Sequence, residues 1–315
     1  EFRLIVTGTP VENNLSELWN LFRFINPGLL GSRKQFETRF AASIEGGDRN
    51  AGKQLKRLLK PFILRRTKTQ VLDELPARTE ISVHVELSDS ERALYEALRR
   101  TALETLEGKQ AGPQQRLRVF AELMRLRRAC CHPRLVVDAH LADKSSSKLE
   151  AFSEILDELL ENRHKALVFS QFVDHLAVIR EKLDERGVAY QYLDGSTSMK
   201  EREARVAAFQ RGEGEVFLIS LRAGGTGLNL TAADYVIHLD PWWNPAVEDQ
   251  ASDRAHRIGQ LRPVTIYRLV ARDTVEERIV DLHRRKRDLA DSILEGTDST
   301  SRISAEELLR LLAAG

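Results

Sequence analysis

The chain has 315 residues, 42% hydrophobic and 30% charged, which is typical of a globular protein of two domains or one large one. No apolar run approaches the roughly 18 residues that a membrane-spanning helix needs, and no signal peptide is recognisable, so we expect an intracellular protein without a membrane partner. The only cysteines, Cys130 and Cys131, are adjacent. They exclude a disulfide framework, and despite the neighbouring His132 we predict buried thiols and no metal site.

The charge is balanced overall but uneven along the chain. Forty-eight basic and 47 acidic residues leave a net charge of +1, so an anionic partner would have to be met by local patches. Basic patches occur at 53–68, 116–134 and 284–287. A solvated helix face explains any one of them, but three together favour a polyanionic partner.

The first half of the chain is predicted to be mainly helical. Residues 2–6, FRLIV, read as a short buried strand, and an amphipathic helix follows near 15–25. From about 54 to 160, Leu, Ala and Arg recur at three- and four-residue spacing, which indicates helices. An extended piece near 81–87 interrupts them.

The second half alternates short apolar runs with helical segments. Five strands, each followed by a helix, predict a parallel α/β sheet covered on both faces. The predicted strands are ALVF (166–169), VAYQYL (188–193), EVFLIS (215–220), DYVIHL (234–239) and PVTIYRLV (263–270). Ligands collect at the carboxyl ends of such strands, so the polar loops that follow them are the candidate site.

Two of these loops have residues suited to phosphate. In DGSTS (194–198), Ser198 and Glu201 form a predicted capping box, which leaves the hydroxyls of Ser196 and Thr197 for a phosphate; a plain turn is an equal alternative. In SLRAGGTG (220–227), glycines let backbone amides approach a phosphate, and Arg222 and Thr226 add a charge and a hydroxyl. No G-x-x-x-x-G-K-[ST] sequence is present.

A polar run, QASDRAHRIGQ, follows the fourth loop. Asn244-Pro245 predicts the start of a helix and Gly259 its end, and such a helix would place three polar side chains on one face. These are Gln250, Arg254 and Arg257. The arginines could simply pair with Glu248 or Asp253 on a solvated surface. Trp242 and Trp243 read as core aromatics or as a ligand-facing surface beside these arginines.

Taken in order, the motifs resemble one family. The chain is similar to the Swi/Snf-type remodelling and translocating ATPases, a branch of the superfamily-two helicases, from Leu4 to about Leu294. The run DPWWNP followed by QASDRAHRIGQ is the most specific part of the match. The other motifs are TGTPVENNLSELWNLFRFINPG, FILRRTK, LRRACCHP, LVFSQF, YLDGSTS and LISLRAGGTGLNLTAADYVIHL.

The resemblance implies the fold and the domain limits. It implies a RecA-like parallel sheet lobe, preceded by a mainly helical subdomain and the tail of a first RecA-like lobe. We expect residues 1–50 to hold the end of the first lobe and the start of the helical insertion, 51–147 the helical subdomain, 148–295 the second RecA-like lobe, and 296–315 a tail with a short helix. The nucleotide loop and acidic motif of the first lobe would lie upstream of residue 1.

The resemblance also implies functional residues. Arg254 and Arg257 match arginine fingers that reach across a cleft to the phosphates of ATP, with ATP and Mg²⁺ held mainly by the N-terminal lobe of the same protein. We expect Gln250, Gly225 and Gly227 to assist in binding the nucleotide. Residues expected to contact DNA are Ser170, Ser196, Thr197, Arg222, Thr226, Trp243, Arg65 and Arg66. Arg222 stands where the family usually has Lys; both are cations, although they contact phosphate differently.

The expected function is therefore the C-terminal half of an ATP-dependent double-stranded DNA translocase, inactive without its N-terminal lobe. A strand-separating DNA or RNA helicase lobe and a non-catalytic nucleic-acid-binding module are the alternatives. A protein bound to DNA would be displaced or remodelled. We expect the protein in the cytoplasm with the nucleoid if the source is prokaryotic, and in the nucleus if it is eukaryotic.

Overall fold

The computed structural model divides the chain into two units, each with its own contacts. It describes residues 2–6, 15–45, 48–64, 75–106, 113–138, 145–225 and 228–282. One unit comprises Glu1–Val71, Trp243–Ala246 and Asp281–Ser304; the other comprises Leu72–Trp242, Val247–Val280 and Ala305–Gly315. The domain limits expected from the resemblance stay a prediction, and the predicted short helix within 296–315 lies outside the described residues.

The first unit contains short helices around one apolar cluster. They are α1 (Leu15–Ile25), α2 (Arg33–Phe36), α3 (Ala42–Glu45) and α4 (Arg49–Leu59), with a π-turn at Glu37–Ala41 and a 3-10 turn at Lys60–Phe62. Leu15, Leu18 and Phe22 of α1 are buried at three- and four-residue spacing, which confirms the predicted amphipathic helix.

Residues 2–6 do not form the predicted strand. Phe2 and Val6 are 92% and 90% exposed, and the segment has no regular secondary structure. An apolar run forms a stable strand where a neighbouring strand satisfies its backbone groups and a packed layer covers its side chains. Nothing in the described part of the chain supplies a paired strand to this segment, so the prediction is wrong here.

The second unit contains a six-stranded, all-parallel sheet. Its strands are β1 (Arg78–Val85), β2 (Ala166–Ser170), β3 (Tyr190–Leu193), β4 (Val216–Ser220), β5 (Tyr235–His238) and β6 (Val264–Ala271), in the order β1-β6-β5-β2-β4-β3. The five predicted strands are β2 to β6. The apolar runs therefore predicted five of the six strands and their parallel arrangement.

Strand β1 is the element that sequence reasoning placed wrongly. The extended piece near 81–87 was expected to interrupt a helical subdomain. Instead, β1 pairs with β6 along its whole length, from Arg78 opposite Val264 to Val85 opposite Ala271. The pairing joins residues far apart in the chain, so local periodicity could not reveal it.

Helices cover both faces of the sheet, as the sequence predicts. The helices of this unit are α5 (Asp89–Leu106), α6 (Pro113–Cys131), α7 (Ser147–Glu161), α8 (Val173–Glu185), α9 (Met199–Gln210) and α10 (Pro245–Ser252), and residues 275–282 are also helical. Helices α7 and α8 pack with the side chains of one face, and α9 and α10 with those of the other. Within the described residues, no helix combines the length and apolar character needed to cross a bilayer.

Two buried ion pairs lie at the carboxyl end of the sheet. The Nζ atom of Lys148 in α7 lies 2.6 Å from a carboxylate oxygen of Glu276 and donates to the carbonyl of Leu239 at 2.8 Å. Arg127 in α6 pairs with Asp240 at 3.3 Å, and both side chains are fully buried. These pairs attach α6 and α7 to the segments that follow β5 and β6.

We predict that Lys148→Met destabilises the protein strongly, because it leaves Glu276 as a buried carboxylate without its cation. The expected loss is about 3–5 kcal/mol, whereas the control Lys182→Met, which removes a partly exposed pair with Glu185, should cost less than about 1 kcal/mol. Urea unfolding followed by circular dichroism measures both. Equal losses of unfolding free energy in the two variants would show that the buried pair contributes no more to stability than the exposed one.

Candidate functional site

Four polar loops lie side by side at the carboxyl edge of the sheet. Strands β3, β4, β2 and β5 are consecutive neighbours and all run in the same direction, so the segments after them emerge at one edge. This edge is where α/β proteins of this kind bind ligands. The loops at 194–198, 221–225, 170–172 and 239–242 thus form one candidate site.

The loop after β3 is ordered by Asp194. Its Oδ1 atom accepts from the amide and hydroxyl of Ser196, at 2.9 and 2.6 Å, and from the hydroxyl of Thr197 at 3.3 Å. These bonds, the Ser196 hydroxyl first, lower the pKa of Asp194 to about 2. The predicted capping box of Ser198 and Glu201 is confirmed. To contact a phosphate, both predicted hydroxyls would have to turn away from Asp194.

The turn after β4, residues 221–225, sits directly on the sheet; we call it the β4 turn. The amide of Leu221 donates to the carbonyl of Ser170 at 2.9 Å, and a Cβ atom at Gly224 would lie 3.0 Å from Phe169 Cε1. Only a glycine lets the backbone come this close to that ring. Arg222 is exposed, so its charge is available to an anion.

The two arginines do not lie on a helix. Helix α10 starts at Pro245, and Asn244 caps it as predicted, accepting from the Ala246 amide at 3.1 Å, but it ends at Ser252. Turns then run to Gly259, which has φ +98°. The prediction of one helical face is therefore wrong for Arg254 and Arg257.

The backbone carbonyls of Arg254 and Ala255 accept hydrogen bonds that a continued helix would not contain. The Arg254 carbonyl accepts from the Leu230 amide at 3.0 Å, and the Ala255 carbonyl accepts from the Gln260 side chain at 3.1 Å. In a continued helix these carbonyls would accept from amides four residues later. A partner from a distant segment and a nearby side chain thus take the place of the helical bonds.

The side chains of the two arginines have different environments. Arg257 is exposed, and its Nη1 atom donates to the Leu228 carbonyl at 3.0 Å, whereas Arg254 is only 6% exposed. Burial, followed by the positive charges of Arg257 and Arg202, lowers the pKa of Arg254. Such a group of cations has the charge that an anionic ligand would complement.

The acidic residues offered as alternative partners each contact another arginine, and the charge of Asp253 also acts on Arg254, where it raises the pKa against the larger lowering by burial. Glu248 pairs with Arg268 at 2.8 Å, and Asp253 accepts from Arg78 at 3.4 Å.

Two family domains match this chain. The SNF2-related domain matches residues 1–135, and the helicase conserved C-terminal domain matches residues 147–259. The chain belongs to the SNF2 family. Its parallel sheet is the RecA-like sheet of SNF2 ATPase cores.

Relatives and a solved structure agree with this assignment. An uncharacterized ATP-dependent helicase of Mycoplasma pneumoniae is 40% identical over 98% of this chain. The SWI/SNF-related matrix-associated actin-dependent regulator of chromatin subfamily A member 1 of Mus musculus is 36% identical over 99%. The chain spans 30% and 31% of these two proteins.

Among solved structures, the SWI2/SNF2 ATPase core of Sulfolobus solfataricus in complex with double-stranded DNA matches with a TM-score of 0.62 and 35% identity. The match covers 98% of this chain and 66% of that one.

Three further residues that the SNF2 resemblance implied as site residues differ in their exposure. Gln250 is exposed on α10, and Trp243 is buried. Ser170 is 1% exposed, and its hydroxyl donates to Asp240 at 2.5 Å and accepts from the Phe172 amide. The Ser170 hydroxyl is not accessible to a DNA phosphate in this structure, because it is buried and already forms two hydrogen bonds within the protein.

Several predicted site residues lie outside the described part of the chain. These are Arg65, Arg66, Thr226 and Gly227. Gly225 ends the 3-10 turn Ala223–Gly225.

Sequence reasoning missed two arginines that the structure brings to the edge. Arg202 in α9 donates to the Ala223 carbonyl in the β4 turn. Arg127 in α6 donates to the Pro241 carbonyl at 2.6 Å and to Gln171 at 2.5 Å. In the sequence each belongs to a basic helical pattern that resembles a solvated face, and a lone arginine there carries no further signal.

One cluster near this edge has the residue types of a metal site. Ligand atoms of Cys131, His175 and Asp240 lie within 4.8 Å of one another, and all three residues are buried. However, Asp240 already pairs with Arg127, and burial raises the pKa of the Cys131 thiol, which favours its neutral form. We therefore assign no metal to it. Cys130 and Cys131 are free and buried, which confirms the prediction of buried thiols.

We predict that Gly224→Ala destabilises the protein by about 1–3 kcal/mol, because its methyl group would press on Phe169. Gly195→Ala is the matched control, since a Cβ there meets nothing within 4 Å. Chemical denaturation measures both variants. A loss at Gly195 equal to that at Gly224 would contradict close packing of the β4 turn as the cause.

Proposed function

We propose that this chain is the C-terminal part of an ATP-driven motor that moves along double-stranded DNA. The observation that carries the proposal is the convergence of exposed Arg222, Arg257 and the hydroxyl loop 194–198 at one edge of a RecA-like sheet. Membership of the SNF2 family supports ATP as the energy source, and a relative solved with double-stranded DNA supports duplex rather than single strands.

ATP and Mg²⁺ would be bound mainly by an N-terminal RecA-like lobe of the same protein, because this sequence has no Walker-type phosphate loop. This chain would contribute guanidinium groups, with Gln250, Gly225 and Gly227 nearby. The two neighbouring cations Arg254 and Arg257 fit a phosphate in charge. ATP would supply the phosphoryl group, whose charge the arginines stabilise during transfer. We expect negligible hydrolysis by this chain alone.

Because Arg257 is exposed, it is the arginine of the pair that could donate hydrogen bonds to a phosphate without moving. Arg254 lies mostly buried, so we propose that its guanidinium turns outward when nucleotide and the other lobe are present. A permanently charged, planar guanidinium suits both roles, since it offers several fixed donors to phosphate oxygens.

The DNA track would consist of phosphate contacts without base recognition. We propose Ser196, Thr197, Arg222 and Thr226 for these contacts, and Arg65 and Arg66 from the basic segment 53–68. Trp243 is buried, so we assign it to coupling and support of the adjoining loop. Ser170 is left out for the burial described above.

The cargo we propose is a protein bound to the same DNA, which the motor would displace or remodel. The proposed location follows the DNA: the nucleoid in a prokaryote or the nucleus in a eukaryote.

We predict weak duplex binding that is indifferent to base sequence and steeply salt-dependent, because phosphate contacts release counterions. Arg222→Ala should lower affinity for all sequences and reduce the slope of log K against log salt by about 1. Fluorescence anisotropy between roughly 50 and 200 mM salt measures this. Affinity that barely changes with salt would contradict the proposed track.

We predict that Arg254→Ala and Arg257→Ala each reduce DNA-stimulated ATPase activity of the complete motor on the order of 10³-fold, as arginine fingers do. The nearby control Arg262→Ala, whose side chain is 62% exposed and pairs with Asp234, should retain turnover. Steady-state hydrolysis with and without duplex measures all three.

Thermal melting separates catalysis from folding in these variants. Arg257→Ala should melt like the unmodified protein because its side chain is exposed, whereas Arg254→Ala should lose some stability. Near-normal turnover in both would remove the arginine-finger assignment.

A further inference from the structure

Arg202 connects two loops that the proposed function uses separately. It lies half-buried in the first turns of α9, and its Nη2 atom donates to the Ala223 carbonyl in the β4 turn. Helix α9 begins immediately after the hydroxyl loop 194–198. The side chain therefore reaches from the helix that carries one loop to the backbone of the next.

The first half of this connection is rigid. Ser198 caps α9 through the confirmed box with Glu201, and the Arg202 amide donates to the Ser198 carbonyl at 2.9 Å. These residues are about one helical turn, roughly 5.4 Å, apart along the axis. A displacement of the hydroxyl loop by DNA would therefore move Arg202 with it.

The second half leads to the arginines. The chain runs from the β4 turn to Leu228, whose carbonyl accepts from Arg257, and to Leu230, whose amide donates to the Arg254 carbonyl. The β4 turn is also held underneath by the close approach of Gly224 to Phe169. A pull on Ala223 would thus act on a turn that is packed directly against the sheet.

We propose that Arg202 is a positioning residue that couples DNA engagement at the loop 194–198 to the placement of Arg254 and Arg257. The inference rests on the proposed function and adds a specific route for DNA stimulation of hydrolysis. The route consists of the contact from Arg202 to Ala223 and the contacts that Leu228 and Leu230 make with the two arginines, and coupling across it requires a direct test. An arginine suits the role because its planar fork holds a carbonyl in a fixed direction, whereas a lysine is a flexible point donor.

The test compares Arg202→Ala and Arg202→Lys in the complete motor with a control on the same helix, Arg211→Ala. Arg211 caps the other end of α9 and is exposed, paired with Glu213. Four quantities are measured: basal ATPase, ATPase with saturating duplex, duplex affinity, and hydrogen exchange of the amides at 221–225.

We expect both Arg202 variants to keep duplex affinity within about threefold and to lose DNA stimulation, on the order of 10²-fold in the alanine variant and less in the lysine variant, since small misplacements of a catalytic group have effects of this size. Amide exchange at 221–225 should accelerate in the alanine variant. Arg211→Ala should match the unmodified protein in all four measurements.

Three results would overturn the inference. Unchanged DNA stimulation in both Arg202 variants would show that the contact does not couple the loops. A loss of duplex affinity proportional to the loss of stimulation would make Arg202 a DNA contact instead. Unchanged amide exchange at 221–225 would show that Arg202 does not hold the β4 turn. If the unmodified motor shows no DNA stimulation, the proposed function fails, and exchange still decides whether Arg202 positions the turn.

Discussion

The buried guanidinium of Arg127 is the interaction on which the candidate site depends. It is fully buried between the rings of Phe172 and Trp242, 5.3 and 5.5 Å from their centroids, and it pairs with Asp240 while donating to the Pro241 carbonyl. A buried charge is tolerated only when its partners are complete, so this group forces the loops after β2 and β5 into one arrangement with α6. The neighbouring Lys148 and Glu276 pair imposes the same condition on α7.

The position of the turns that carry Arg254 and Arg257 follows from this arrangement. The loop after β5 leads directly into α10, where buried Glu248 accepts from the Trp242 amide at 2.6 Å and pairs with Arg268 of β6. The start of α10 is thereby tied to the sheet from two sides. Arg254 and Arg257 follow shortly after α10, and they contact the segment after the β4 turn through the Arg254 carbonyl and the Arg257 side chain. The site is thus set by buried polar contacts beneath it, while Arg222 and Arg257 are exposed above them.

Much of the fold could be predicted because it depends on patterns that are local in the sequence. Five strands of β-branched and aromatic residues were visible as short apolar runs, and alternation with helical periodicity implied parallel pairing and loops at one edge. Caps at Ser198 and Asn244 were predictable because they depend on residues close in sequence. Strand β1 was misplaced because its partner β6 is distant in the chain, and residues 2–6 were misread because no paired strand covers them in the described chain.

The sequence by itself therefore determined the order of most elements, the parallel α/β class and the candidate loops, since these follow from local periodicity and capping. The RecA-like class followed from the family resemblance. Only the tertiary structure decided that Arg254 and Arg257 lie in turns, that Ser170 is engaged internally, and that Arg202 reaches the β4 turn. Each of these depends on a hydrogen bond between backbone or side-chain groups of different elements. Such bonds compete with local helical bonds and with hydration, and the local sequence does not determine which of these partners each group will have.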